Sequence, residues 1–159
     1  MADVNLGFRI LHESGDLPPR AMEYTMLLLE IANRVMGSKE TIERQIKGMA
    51  HGTVKLQVPN PKKGETGRQS AATFGGNIID KQFKRAIAEE QKAGRLKGLT
   101  IVDTACGDGP TANKKGPDCY LDQERVAWDI TSEASVSMHF DRDVRGREET
   151  WNAYIVFPY

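Results

Sequence analysis

Three histidines are the side chains in this sequence whose charge ordinarily changes near neutral pH. His12 opens His12-Glu13-Ser14 and His51 opens His51-Gly52-Thr53, so each imidazole is followed two positions later by a hydroxyl. Two such imidazoles could serve as acid and base on a phosphodiester, with the hydroxyls on the phosphate. His139 sits in an alternating run with Ser135 and Ser137, and Tyr154 can share its face of a sheet. Lys62, Lys63 and Arg68 occupy a stretch that also holds Gly64 and Gly67. Glycine-rich backbone with cationic side chains is what a phosphate site requires. The candidate residues are therefore His12 and His51 for catalysis, if the chain is an enzyme, and Lys62, Lys63, Arg68 and His139 for binding a ligand.

Cys106 and Cys119 bracket a Gly/Pro-rich segment. A disulfide between them would close a short ring and contribute about 3 kcal/mol. A chain of cytoplasmic type argues for free thiols instead. As zinc ligands the two lack partners at the usual spacing. Asp103, Asp108, Asp118 and Asp122 lie nearby but do not follow an EF-hand pattern. No metal site and no cofactor is expected.

Two local resemblances bear on function. Ile101-Val102-Asp103-Thr104-Ala105-Cys106-Gly107-Asp108-Gly109 resembles the first glycine-rich motif of class I methyltransferases, in which the glycines approach S-adenosylmethionine. Pro110, Gly116 and Pro117 break the helix that must follow, and too few residues remain for the later strands. The His12 and His51 triplets resemble the His-x-Ser/Thr pairs of 2H phosphoesterases, which would imply a small phosphate-directed enzyme. Their spacing is short for that family, and neither lies inside a strongly apolar strand.

Elements must position these residues. Leu6 to His12 reads as a strand. Asp16 and Pro18-Pro19 then open a helix running to about Met36, with Gly37 as its stop. Met22, Met26 and Leu29 make one stripe, and Leu28, Ala32 and Val35 the next. Together they predict a wide buried face. A second helix is expected over about Lys39 to Met49, with Ile42, Ile46 and Met49 in line. Thr53 to Val58 alternates as a strand. Pro59 to Gly76 shows no periodicity and reads as a long loop, followed by a helix over about Ile78 to Ala93. A short strand spans Leu99 to Val102, and a second long loop Thr104 to Asp118. Val126-Trp128-Ile130, Val136-Met138-Phe140 and Trp151-Ala153-Ile155-Phe157 alternate in turn. They predict a three-strand antiparallel meander. The expected core includes Leu28, Leu29, Val54, Leu56, Phe83, Ile87, Trp128 and Ile155. The expected architecture is α+β: about three helices in the N-terminal two-thirds, on a mainly antiparallel sheet, in a single domain over residues 1–159.

The chain has 159 residues and 22 charges of each sign, for a formal net charge of zero. That balance hides an asymmetry: residues 39–97 carry +7 and residues 98–159 carry −5. No apolar run is long enough to span a membrane, and the first residues lack the basic and apolar stretch of a signal peptide. These features point to a cytoplasmic, non-enzymatic binding or assembly protein. It would self-associate and meet a protein partner, a nucleotide or another anionic ligand through its two long loops. A phosphate-directed enzyme or nucleotide-binding protein is the alternative.

Overall fold

A computed structural model describes residues 6–37, 55–60, 64–102, 116–145 and 151–159. In chain order the elements are β1 (Arg9–Glu13), α1 (Pro19–Gly37), β2 (Lys55–Asn60), β3 (Gly64–Ser70), α2 (Ala71–Lys92), β4 (Leu99–Ile101), β5 (Cys119–Leu121) and β6 (Val126–Thr131). A 3₁₀ turn (Glu133–Ser135) then runs into a short helix, α3 (Val136–Phe140), and a π-helical turn (Asp141–Arg145). Strand β7 (Ala153–Pro158) follows.

Five strands form one sheet in the order β1-β7-β6-β5-β4. All neighbours are antiparallel except β6 and β7, which run parallel with Trp128 opposite Ile155. β2 and β3 form a separate antiparallel hairpin. The architecture is thus α+β, with helices on a mostly antiparallel sheet. Among the described residues no helix is long and apolar enough to cross a membrane.

The main core lies between the sheet and the helices α1 and α2. Leu28, Ile31, Ala32 and Val35 of α1 and Ile79, Phe83 and Ile87 of α2 meet Trp128, Ile130, Ile155 and Phe157. Phe83 stands edge-on to Phe157, with centroids 6.1 Å apart. Trp128 donates its indole N–H to Thr25 Oγ1 at 2.9 Å, so its one polar atom is satisfied inside the core. The opposite face of the sheet carries a smaller cluster. There Ala127, Tyr154 and Val156 pack with Val136 and Trp151 under the β6-to-β7 connection.

Several expectations are corrected here. The three-strand meander is not formed, because its middle segment is helical. Val136 and Phe140 are four apart as well as two-by-two in line, so the same residues satisfy either period. The parallel pairing of β6 with β7 decides between them. A parallel pair needs a crossover over one face, which a meander strand cannot supply. Met138, a core residue on the strand reading, is 62% exposed.

The stretch Pro59 to Gly76 is no long loop either. It ends β2, forms all of β3 and begins α2 seven residues earlier than expected. Its order comes from backbone pairing, which leaves no apolar period to read. Leu29 is half-buried at the edge of the core and Met22 and Met26 are exposed, so the second α1 stripe lies at the margin of the core and not inside it. The expected helix over Lys39–Met49, together with Val54, lies outside the described residues, as does most of the loop from Thr104. Leu28, Phe83, Ile87, Trp128 and Ile155 are buried as expected.

Candidate functional site

Strand alternation builds the most polar place in the interior. Trp128 and Ile130 point to the helices, so Asp129 and Thr131 point to the other face of β6. Tyr154, opposite Ala127 on β7, points the same way. The crossover lays His139, Arg142 and Asp143 over these three. His139 Nδ1 makes a short hydrogen bond with Asp129 Oδ2, and its Nε2 lies 3.3 Å from Thr131 Oγ1. The Tyr154 hydroxyl donates to Asp129 Oδ2 at 3.0 Å and lies 2.9 Å from Asp143 Oδ2. Arg142 grips Asp143 with two N–H groups, at 2.6 and 2.8 Å, and donates a third bond to the Gly116 carbonyl at 3.0 Å. Trp151 Nε1–H caps the Asp143 carbonyl at 3.1 Å.

A second carboxylate continues the network through the sheet. Asp118, just before β5, accepts the Ile130 N–H at 2.7 Å. Lys84 reaches Asp118 from α2 at 3.5 Å and Asp80 at 3.6 Å. Burial, and then the neighbouring Asp129, push Asp118 up to about 7. Burial likewise lifts Asp129 to about 7. His139 is lowered by burial and by the Arg142 charge. Lys84 is raised, because Asp118 and Asp80 outweigh its own burial. Burial, Asp129 and Asp143 hold the Tyr154 phenol well above its ordinary value, so it stays a donor.

Two kinds of chemistry can be asked of this cluster. Asp129, His139 and Asp143 bring one ring nitrogen and two carboxylate oxygens within 4.8 Å of one another, a donor set that suits a divalent cation. Arg142 already stands there, 3.4 Å from His139 Nδ1 and 3.9 Å from Asp129 Oδ2. Its guanidinium supplies the positive charge that such an ion would bring. The alternative is acid–base work: Asp129 orients His139, whose Nε2 faces a hydroxyl. Against a ligand of either sort, no buried side-chain nitrogen or oxygen among the described residues lacks a hydrogen-bond partner.

Of the candidates read from the sequence, His139 belongs to this cluster, on a helix rather than a strand. Tyr154 is indeed its neighbour through Asp129. His12 lies on β1 opposite Tyr154 and is half-buried, with no hydrogen bond to the cluster among the described residues. Arg68 pairs with Pro59 in the β2–β3 hairpin. His51, Lys62 and Lys63, and with them the motif from Asp103 to Gly109, lie outside the described residues. Cys119 is a free, buried thiol raised by desolvation.

Asp129, Arg142, Asp143 and Lys84 were not singled out from the sequence, and Asp118 was weighed only as an oxygen ligand beside the cysteines. The only signal was a lone aspartate inside Val126-Ala-Trp-Asp-Ile-Thr131. Alternation placed it on the polar face, and nothing local said that the face would be covered.

A different surface carries exposed apolar side chains among the described residues. On α1, Met22 and Met26 are 36% and 52% exposed, and Leu29 is half-buried beside them. Met26 and Leu29, with Glu23, Glu30 and Arg34, border an open groove. Against family models, curated proteins and solved structures, the chain matches none.

Proposed function

We propose that this protein works by contact rather than by catalysis, as an assembly or binding protein that associates with itself through the outer face of α1. The observation that carries the reading is the pair of exposed methionines, Met22 and Met26, beside the half-buried Leu29 on a helix whose other stripe is core. Methionine and leucine side by side on a surface helix favour a protein partner. The internal saturation of the Asp129–His139 cluster supports the same view, since such a network joins the crossover to the sheet. The opposed segment charges would add attraction between copies. The basic residues Lys62, Lys63 and Arg68 are the proposed contact for a nucleotide or another anionic ligand, on charge alone. The free thiol of Cys119 fits a reducing, cytoplasmic setting. Sedimentation velocity over a dilution series tests the reading. Wild type should form a dimer or higher oligomer at high micromolar concentration, and Met26→Glu should be monomeric. Identical sedimentation of the two proteins would refute it.

The alternative reading, a small hydrolase, has its own observation in the Asp129–His139–Thr131 alignment. It requires turnover of a phosphodiester or ester with a bell-shaped pH profile, abolished in His139→Gln. Turnover that survives His139→Gln removes this alternative.

A further inference from the structure

The helical step of 100° per residue sorts the outer face of α1 into two stripes. Glu23, Leu27, Glu30 and Arg34 lie on one; Met22, Met26, Leu29 and Asn33 lie on the other. The charged stripe is asymmetric along its length, with an acid at its N-terminal end and a base at its C-terminal end. Asn33 is held at the edge, where its side-chain oxygen accepts the Leu6 N–H.

Building on the assembly reading above, we infer that the occupant of this face is a second copy of the same chain. It docks antiparallel about a two-fold axis that crosses α1 between Leu28 and Leu29. A two-fold contact is self-complementary, so each residue meets the one equally far beyond the axis. Glu23 then stands level with Arg34 of the other copy, and this pair occurs twice. Leu27 lies level with Glu30, whose methylenes it can cover. Leu29 lies beside the axis, and the two Met26 thioethers flank it. A parallel arrangement would instead set Glu23, Glu30 and Arg34 each level with its own like charge, which is unfavourable.

The charges are placed for this exchange. Glu23 is exposed and makes no ion pair among the described residues. Arg34 is 60% exposed and touches Glu90 with one nitrogen at 3.4 Å. Arg95 also reaches Glu90, at 3.5 Å, so Glu90 keeps a cation when Arg34 turns outward. The contact spans Met22 to Arg34, ~18 Å of helix at 1.5 Å per residue. An interface this short gives a weak dimer, formed at micromolar concentration.

A charge-swap series tests the arrangement by analytical ultracentrifugation, with circular dichroism to verify folding. Glu23→Arg alone sets Arg against Arg, and Arg34→Glu alone sets Glu against Glu. Each should raise the dimer Kd about tenfold. An equimolar mixture of the two variants pairs opposite charges at both ends, and its heterodimer should regain the wild-type Kd. A mixture no tighter than its components overturns the antiparallel arrangement. If Met26→Glu still abolishes the dimer in that case, the assembly reading survives without it. A wild type that stays monomeric overturns both.

Discussion

The Tyr154 hydroxyl lies within hydrogen-bond distance of two carboxylates from different elements, donating to Asp129 of β6 at 3.0 Å and standing 2.9 Å from Asp143 of the crossover. Its hydroxyl is the smallest group that holds the crossover to the sheet. Tyr154→Phe keeps the ring against Phe140 and removes only that oxygen. It should cost about 1–3 kcal/mol, because the buried carboxylates on either side lose their shared hydroxyl partner; urea unfolding measures it. Asp118 and Asp129 predict a pH dependence of definite sign. Their folded pKa values, about 7, stand above the ordinary 3.8, so the folded chain binds protons more tightly than the unfolded chain. Their contribution to stability is full below the ordinary value and is lost as pH rises through about 7. His139, lowered, has the opposite sign, and its contribution is lost as pH falls. Two carboxylates outweigh one imidazole, so the net slope is downward between about pH 4 and 7. Asp118→Asn mimics the protonated acid and still offers an oxygen to the Ile130 N–H. It should stabilise the protein at pH 8 by on the order of 1–2 kcal/mol and change little near pH 4, a unit of pKa being about 1.4 kcal/mol. Equal effects at the two pH values in thermal melts would contradict this.

α1 was legible in both its ends, since Pro19 and Gly37 carry their own signals. β6 and β7 were legible from alternation alone. The segment between them was not: Val136, Met138 and Phe140 fit a period of two over five positions, and a helix that short gives too few positions to fail the test. Only the parallel register of β6 with β7, a long-range fact, selects the helix. β3 was hidden for a different reason. Gly64-Glu-Thr-Gly-Arg-Gln-Ser70 carries no apolar residue, and its strand is specified by pairing with β2. The candidate site suffered the same loss. His139 was visible as a polar-face residue, whereas its partners Arg142 and Asp143 read as a charged turn. Two substitutions separate the helix from the strand. Met138→Gln should change stability by less than about 0.5 kcal/mol, as for an exposed helical position. Phe83→Ala, at the centre of the core between α2 and β7, should cost about 3–5 kcal/mol. A large loss from Met138→Gln in chemical denaturation would restore the meander.

Across the whole molecule the sheet has both faces covered, one by α1 and α2 and the other by the crossover. The polar groups under the crossover are joined to one another by hydrogen bonds. The segment charges of +7 and −5 were read from the sequence as a drive to associate. The contact proposed above uses neither segment but the α1 stripe, which the apolar pattern alone assigned to the core and where Met22 and Met26 are exposed. Which of two adjacent stripes faces inward depends on how the helix is rotated against the sheet. Local sequence does not encode that rotation. Methionine methyl groups report on this claim directly, because Met22 and Met26 lie on the stripe, Met36 is in the core, and Met138 is exposed elsewhere. Methyl-labelled methionine spectra recorded over a dilution series should show the Met22 and Met26 signals moving together with concentration, while Met36 and Met138 stay fixed. Signals of Met22 and Met26 that hold still across the series, or a Met138 signal that moves in their place, would contradict the account.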